Sequence, residues 1–244
     1  MKIGERYLRW AGRRKLERQE ITWLLVGLGA CILLFAFIIF AGKVMEGDTQ
    51  ALDARILRAL RQADDPSKPI GPDWIESALL DLTALGGPMV LWLVTFAVMG
   101  FLVLQARYRT ALVILITAIS GELINQAMKQ TFMRPRPTVV PHLRHVVSPS
   151  FPSGHAMESA LIYLTLGAML MRVAESRLTK MYCLAMALLL TLLVGVSRVY
   201  LGVHYPTDVI GGWILGFAWA SVCWLIAQRI EAKTGVIAER KQSG

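Results

Sequence analysis

Long apolar runs constrain this chain more than any other feature of its sequence. Six stretches are dominated by apolar residues: 21–42, 88–105, 110–132, 154–171, 181–196 and 209–228. A helix needs about 20 predominantly apolar residues to cross the hydrocarbon core of a bilayer. The first stretch is also longer than the core of a signal peptide, which has roughly 7–15 residues. The sequence therefore predicts an all-α integral membrane protein with six transmembrane helices that form a single domain over residues 1–244.

The composition also fits a membrane protein better than a soluble one. Of 244 residues, 55% are hydrophobic and 18% are charged, whereas soluble domains typically have roughly 45–50% apolar and about 25% charged residues. The net charge of +9 reflects Lys and Arg clusters that flank the apolar stretches, above all within residues 1–20, 107–109 and 172–180. Such clusters predict contact with the anionic head groups of the lipid bilayer and no nucleic-acid partner. By the positive-inside rule they place the N-terminus and both short loops in the cytoplasm.

Residues 43–87 are more polar and are predicted to lie at the opposite, outer surface. Apolar residues recur there at helical spacing: Leu52, Ile56, Leu57 and Leu60. The charged residues among them are expected to face elsewhere: Asp53, Arg55, Arg58 and Arg61. This pattern predicts a short amphipathic helix, and a second helix is predicted to begin at Asp73 and to end before Pro88. Two interpretations of the segment remain open, a connecting loop with two short helices and a lid over the access route of a lipid.

The third apolar stretch carries a line of polar residues. Glu122, Asn125, Gln126 and Lys129 fall at positions i, i+3, i+4 and i+7, which share one face of a helix. Polar side chains at this depth are costly in lipid, so this face is expected to contact protein or water. Glu122 and Asn125 are expected either to pair with a neighbouring span or to orient Lys129.

The stretch from Ser197 to Asp208 places a cation, an imidazole and a carboxylate between two apolar runs. Ionisable groups at such a depth need a functional reason, and phosphate chemistry supplies one. Arg198 carries a planar, permanently charged guanidinium that suits phosphoryl oxygens. An imidazole such as that of His204 can be neutral and nucleophilic near pH 7. Asp208 follows it by one helical turn if a helix begins near Pro206. The alternative is an interfacial salt bridge beside a hydrogen-bonded histidine.

Three segments carry the candidate site residues on one predicted membrane face. They are Lys129, six further residues and Arg136-Pro137; Pro152-Ser153-Gly154-His155; and Ser197-Arg198, five residues, His204, three residues and Asp208. In this order and spacing, the segments resemble the signature of the type 2 phosphatidic acid phosphatase superfamily. The tetrapeptide Pro152-Ser153-Gly154-His155 alone would be weak evidence of this resemblance. Three matched segments on one predicted membrane face are strong evidence. The resemblance implies a membrane phosphatase that covers nearly the whole chain, with residues 88–230 as its catalytic helix core.

The resemblance implies that five of the matched residues bind the phosphoryl group: Lys129, Arg136, Ser153, Gly154 and Arg198. The three cations would surround the phosphoryl oxygens. Ser153 would cap the fourth span, and Gly154 would let the helix N-terminus approach the phosphate. Four other polar residues of the loop at 133–153 are expected to be solvated, the alternative being contact with a lipid head group: Arg134, His142, Arg144 and His145.

The remaining matched residues would carry the chemistry. His204 would attack phosphorus and form a phosphohistidine, while Asp208 holds its tautomer. His155 would protonate the departing oxygen and then activate water. The histidines and carboxylates are matched to cationic partners, so no metal site and no cofactor are expected.

The activity implied by the resemblance is dephosphorylation of a membrane lipid phosphate or diphosphate at the outer face. Undecaprenyl diphosphate is the favoured substrate, with phosphatidylglycerophosphate and lipid A as alternatives. Two other functions remain open, a phosphotransferase between lipids and a transporter that binds phosphate head groups without cleaving them. The transporter would not need His155 or the pair formed by His204 and Asp208. The expected location is a bacterial inner membrane with the site on the periplasmic side, and residues 232–244 are expected to form a mobile tail.

Overall fold

The chain forms a bundle of helices. The computed structural model describes the backbone of residues 2–242 and the side chains of residues 19–230. The described part contains these helices: α1 (Lys2–Glu46), α2 (Gln50–Ala59), α3 (Asp73–Ala84), α4 (Pro88–Leu104), α5 (Tyr108–Phe132), α6 (Gly154–Val173), α7 (Arg177–Tyr200) and α8 (Pro206–Gln242). No strand forms within it, and its sheet-like pairing is one isolated bridge between Arg61 and Pro69. The predicted all-α class is confirmed.

Five helices are long and apolar enough to cross a bilayer: Gln19–Glu46, Tyr108–Phe132, Gly154–Val173, Arg177–Tyr200 and Pro206–Ile230. A sixth span arises only if α3 and α4 act together as a pair bent by 49°. The sequence predicted one span over 88–105, but α4 alone has 17 residues. The break at Gly86-Gly87-Pro88 separates the two helices, because proline and glycine interrupt a continuous helix. The protein is a multi-pass membrane protein.

Helices α6 and α8 approach each other closely because α8 presents two glycines four residues apart. A Cβ atom on Gly212 would lie 2.6 Å from the Ser153 carbonyl oxygen, and one on Gly216 would lie 2.5 Å from that of Met157. Both distances are too short for a real side chain, so glycine alone permits this backbone contact. The first turn of α8 is thereby held against the first turn of α6.

Residues 133–153, here called the active-site loop, are anchored at their end by Phe151. This side chain is completely buried. Its ring stacks on Phe37 of α1 with the centroids 5.9 Å apart, and meets the edge of Phe132 at 5.1 Å. The aromatic cluster fixes the chain immediately before Ser153, where α6 is about to begin.

Two charged residues, one on α2 and one just after it, are oriented differently from the prediction. Asp53 and Arg61 were expected to face away from the apolar side, yet their exposed fractions are 0% and 5%. Asp53 precedes Leu57 by four residues, and so lies on the same helical face as that completely buried leucine. Arg61 donates to the backbone oxygen of Tyr200 at 2.9 Å. These contacts tie residues 43–87 to the bundle; the lid stays a prediction.

The polar line on α5 divides into a buried and an exposed part. Asn125 is 4% exposed, and its Nδ2 donates to Oε1 of Glu158 on α6 at 2.9 Å. Gln126 is exposed and donates to Oε1 of Glu122 at 2.6 Å. The Gln126 amide is thus satisfied along its own helix, and contact of this residue with protein or water stays a prediction. Of the two roles expected for Asn125, the structure shows pairing with a neighbouring span.

Two predictions fall on the ends of the chain. The basic segment 1–20 lies almost entirely outside the residues whose side chains are described, as does the tail at 232–244. Both stay predictions.

Candidate active site

The structure brings all the matched residues to one end of the bundle, where α5 and α7 end and α6 and α8 begin. They are Lys129, Arg136, Ser153, Gly154, His155, Arg198, His204 and Asp208. We call this the active-site end and the opposite one the far end. Residues as far apart as 129 and 208 meet because consecutive spans run in opposite directions.

Lys129 and Arg136 are held by backbone carbonyl groups. The Lys129 Nζ atom donates to the Pro149 oxygen at 2.7 Å. The Arg136 Nε atom donates to the Ser148 oxygen at 2.7 Å, and its Nη1 donates to the Val203 oxygen at 2.6 Å. Carbonyl groups orient the two cations but carry no net charge, so both side chains keep positive charge for a ligand.

Arg198 is a buried cation without a carboxylate partner among the described side chains. Its exposed fraction is 2%, and its Nη1 donates to Thr83 Oγ1 of α3 at 2.9 Å. Its Nε has no hydrogen-bond partner there. Burying an unpaired guanidinium is costly. The buried Arg198 guanidinium is therefore suited to bind an anionic ligand.

The contacts of His204 define which ring nitrogen carries the proton. Its Nε2 lies 3.2 Å from Nη1 of Arg136. A guanidinium has only donors, so Nε2 presents its lone pair. The proton therefore resides on Nδ1, which faces Oδ2 of Asp208 at 3.4 Å. Nε2 is the nitrogen that can attack an electrophile.

The surroundings of His204 also keep its ring neutral. Burial is the main cause that lowers its pKa well below the ordinary value. Nearby cations lower the pKa further: Arg198, Arg136 and Lys129. A hydrogen bond with the Ser150 backbone acts in the opposite direction. Because the lowered pKa favours the uncharged imidazole, Nε2 retains its lone pair at neutral pH.

Arg134 was expected to be a solvated loop residue, and this is wrong. It is 7% exposed. Its Nη1 donates to Oδ1 of Asp208, and its Nη2 donates to Oδ2 of Asp53 at 3.0 Å. The guanidinium also lies 4.3 Å from the centre of the Tyr205 ring. Two carboxylates are buried here, and Arg134 is buried with them because it forms an ion pair with each.

Asp53 also caps α8 from another helix. The Thr207 N–H donates to Oδ1 of Asp53 at 3.1 Å, and the Thr207 hydroxyl donates to Oδ2 at 2.6 Å. The residue before Pro206 is Tyr205, which cannot supply a capping side chain. A carboxylate at this helix N-terminus is favourable. The cap fixes the turn of α8 that carries Asp208.

Ser153 precedes α6 as predicted, but its side chain does not cap the helix. It makes no capping hydrogen bond, and its Oγ is buried without a partner in the described structure. Its backbone N–H donates to the backbone carbonyl oxygen of Asp208 at 2.9 Å, which ties the start of α6 to the first turn of α8. At Gly154, a Cβ would lie 2.5 Å from Nδ2 of Asn125, so glycine leaves room for that amide.

His155 shares the cationic surroundings of His204. Its Nε2 is buried and has no hydrogen-bond partner among the described residues. It interacts electrostatically with Arg198, His204 and Lys129. Ser153 Oγ and His155 Nε2 are therefore both available to a ligand of this cluster.

Sequence reasoning missed three contributors: Asp53, Arg134 and Thr83. Asp53 carried a detectable signal, because its spacing to Leu57 places it on the buried face of α2. A signal for Arg134 was also present, since a buried Asp208 needs a cation and the matched cations were already assigned to phosphate. Nothing in the sequence around Thr83 indicated its contact with Arg198.

Comparison with known proteins agrees with this geometry. The sequence model of the PAP2 superfamily matches residues 110–232, which include all three matched segments. The chain belongs to the PAP2 superfamily. It is accordingly a PAP2-type membrane phosphatase, and the resemblance found in the sequence is confirmed.

The names of individual relatives within the PAP2 superfamily refer to different lipid substrates. The chain is 31% identical to phosphatidylglycerophosphatase B of Bacillus subtilis (strain 168) over 186 residues, 75% of this chain and 87% of that protein. It is 27% identical to an undecaprenyl-diphosphatase of Sulfolobus acidocaldarius over 146 residues, 58% of this chain and 64% of that protein. The crystal structure of a transmembrane PAP2-type phosphatidylglycerolphosphate phosphatase from Bacillus subtilis superposes with a TM-score of 0.74. That pair shares 29% identity and covers 82% of this chain and 96% of the other.

The ion-pair network of Asp53, Arg134 and Asp208 predicts that Asp53 affects catalysis, although it lies outside the matched segments. Asp53→Asn keeps the shape but removes one charge, which loosens Arg134 and the cap of α8. We expect kcat to fall roughly 10- to 100-fold, the scale of a small displacement of a reacting group, with KM changed less than about twofold. The measurement is phosphate release from a short-chain phosphatidic acid in detergent.

The matched control is Asp65→Asn, because Asp65 pairs with the exposed Lys68 at 3.6 Å and lies outside the network. Its kinetics should equal those of the wild type. A D53N variant with wild-type kcat, or one that changes KM alone, would contradict the positioning role.

Proposed function

We propose that the protein hydrolyses a membrane lipid phosphate or diphosphate through a phosphohistidine at His204, without a metal ion. The proposed location is the outer face of a bacterial inner membrane. One observation carries the proposal: three cations adjoin His204, and none of them pairs with a carboxylate among the described side chains. They are Lys129, Arg136 and Arg198. Such a cluster suits the three non-bridging oxygens of a phosphoryl group.

In the first half-reaction, His204 Nε2 attacks phosphorus and the bond from phosphorus to the bridging oxygen breaks. Asp208 stabilises the positive charge that develops on the ring through the proton on Nδ1. The leaving oxygen takes its proton from His155, whose imidazolium is favoured once the negative phosphoryl group is bound. The lipid product departs and the phosphoryl group remains on Nε2.

In the second half-reaction, His155 accepts a proton from water as that water attacks the phosphohistidine. The bond from phosphorus to Nε2 breaks, inorganic phosphate leaves, and both histidines return to their starting states. Both steps need charge neutralisation around phosphorus, and three fixed cations supply it. A magnesium ion would duplicate a charge that the side chains already provide.

The test is phosphate release by His204→Ala in buffer containing excess chelator. We expect the wild type to be fully active there, and the variant to lose at least about 1,000-fold in rate, as for removal of a nucleophile. Lipid binding should persist, since the cations remain. The control is His145→Ala, which removes an exposed imidazole of the active-site loop.

Three outcomes would contradict the proposal. They are release by H204A near the wild-type rate, strict magnesium dependence of the wild type, and binding of lipid phosphate by the wild type without cleavage. A phosphorylated lipid product in place of free phosphate would indicate transfer between lipids.

Among candidate lipids, we propose a polyprenyl diphosphate such as undecaprenyl diphosphate, with phosphatidylglycerophosphate as the second candidate. The support is a further cation at the edge of the site. Arg144 is exposed on the active-site loop and interacts electrostatically with Arg198 and His155. We infer that its positive charge would contact the second phosphate of a diphosphate.

This proposal predicts a change of specificity in Arg144→Ala. We expect kcat/KM for a short-chain polyprenyl diphosphate to fall about tenfold, the scale of one charge-assisted hydrogen bond. The value for the matching monophosphate should change less than about twofold. His145→Ala again serves as the neighbouring control. Equal losses on both substrates would show that Arg144 does not read the second phosphate.

A further inference from the structure

Arg61 is a buried cation that lies outside the matched segments and has no part in the chemistry proposed above. It follows the end of α2 by two residues, and its side chain is 5% exposed. Its Nη1 donates to the backbone oxygen of Tyr200, the last residue of α7, at 2.9 Å. The last carbonyl groups of a helix have no partner within that helix, and the helix dipole favours a cation beside them. Arg61 therefore caps the end of α7 that carries Arg198.

The Arg61 guanidinium also packs on the turn that leads from α7 to His204. Its Nη2 donates to the Pro141 oxygen of the active-site loop at 3.3 Å. Gly202 lies beside it with a φ of +72°, and a Cβ on this residue would lie 2.6 Å from Nη2 and 3.0 Å from the Pro141 oxygen. Glycine permits both the left-handed backbone and this close approach. The guanidinium is thus held directly against the backbone two residues before His204.

The end of α7 is held a second time by the same outer loop. The Tyr200 hydroxyl donates to the backbone oxygen of Ile70 at 2.7 Å. The Ile70 N–H in turn donates to the Leu60 oxygen at 3.1 Å, which closes the loop that contains Arg61. Residue 200 is therefore bound through its carbonyl group by one side of this loop and through its side chain by the other.

The turn after α7 also carries the contacts of the candidate nucleophile. Val203 is completely buried, and its carbonyl oxygen accepts a hydrogen bond from Nη1 of Arg136 at 2.6 Å. The same Nη1 lies 3.2 Å from Nε2 of His204. A movement of the turn would therefore displace the imidazole relative to the cations. A misplacement of about 1 Å can reduce a reaction rate about 100-fold.

We propose that Arg61 is a positioning residue: it holds the end of α7 and the turn at 201–203, and thereby places His204 against Arg198 and Arg136. It acts through the backbone, because its hydrogen bonds go to the carbonyl oxygens of Leu60, Tyr200 and Pro141. The effect on rate rests on the proposed function, in which His204 attacks phosphorus.

The kinetic test is phosphate release from a short-chain phosphatidic acid by Arg61→Met, which removes the donors and keeps an apolar stem. We expect kcat to fall roughly 10- to 100-fold with KM changed less than about twofold. Arg61→Lys keeps a donor for the Tyr200 oxygen, and should retain kcat within about fivefold of the wild type. The matched control is Arg58→Met, an exposed arginine in the last turn of α2, whose kinetics should equal those of the wild type.

The titration of the His204 ring supplies a readout that partial unfolding would not move. The chain has four histidines, so NMR of the protein labelled with 15N-histidine can follow each ring, and His204→Gln assigns the signals of residue 204. Burial and nearby cations hold the pKa of His204 well below its ordinary value. The charged or titratable groups that face the ring come from four helices and one loop: Lys129 of α5, Arg136 of the active-site loop, His155 of α6, Arg198 of α7 and Asp208 of α8.

A ring that is no longer held among these groups becomes more solvated. In R61M we therefore expect the pKa of His204 to rise towards the ordinary value of about 6.5, so that the imidazole takes up its proton at a higher pH than in the wild type. R58M should leave this pKa unchanged. A mixture of folded and unfolded protein would instead show two sets of signals, with the folded set at the wild-type pKa.

A second variant tests the same hold without removing a charge. Tyr200→Phe loses the hydrogen bond to Ile70 and keeps the aromatic ring. We expect kcat to fall about threefold, the smaller scale of one neutral hydrogen bond, and the pKa of His204 to rise in the same direction as in R61M. This variant carries the test if R61M does not fold.

Three results would overturn the positioning role. They are wild-type kcat and wild-type His204 titration in R61M or in Y200F, equal losses in R61M and R58M, and a fall of kcat in R61M without a change in the His204 titration. Failure of the proposed function would look different. Phosphate release by H204A near the wild-type rate would exclude the nucleophile, while the titration in R61M would still decide whether Arg61 holds the ring.

Discussion

Arg134, buried between two carboxylates, holds the candidate active site together. Its guanidinium contacts Asp53 of α2 and Asp208 of α8, and Thr207 joins the same network. In a buried network the loss of one partner leaves a charge uncompensated, so the groups are stable only as a set. Residues 43–87, the active-site loop and α8 are therefore fixed at a single point, and that point places Asp208 against His204.

The network also explains why the site is cationic. Asp208 forms its ion pair with Arg134, and among the described side chains it forms none with Lys129, Arg136 or Arg198. In the proposed mechanism these three cations remain for the substrate, while Asp208 faces the His204 ring. In the proposed mechanism, one side chain outside the matched segments thus separates the charge that would position the nucleophile from the charge that would bind phosphate.

Much of this arrangement could be predicted from the sequence because its signals are local. Long apolar runs predict five of the spans, and four-residue spacing places Asp208 one turn from His204. Contacts between distant segments were not predictable in the same way. Asp53 and Arg134 are separated by 81 residues, and Thr83 and Arg198 by 115. Their meeting depends on how α2 and α3 pack on the bundle, which no local pattern encodes.

The central claim is that His204 Nε2 attacks phosphorus within a cluster of three cations. It is tested most directly by a crystal structure of the protein with vanadate, a mimic of the pentacoordinate phosphorus state, grown in chelator. The account predicts vanadium bonded to Nε2 of His204, with its equatorial oxygens contacted by Lys129, Arg136 and Arg198. Vanadate bound away from His204, or held through a metal ion, would contradict it.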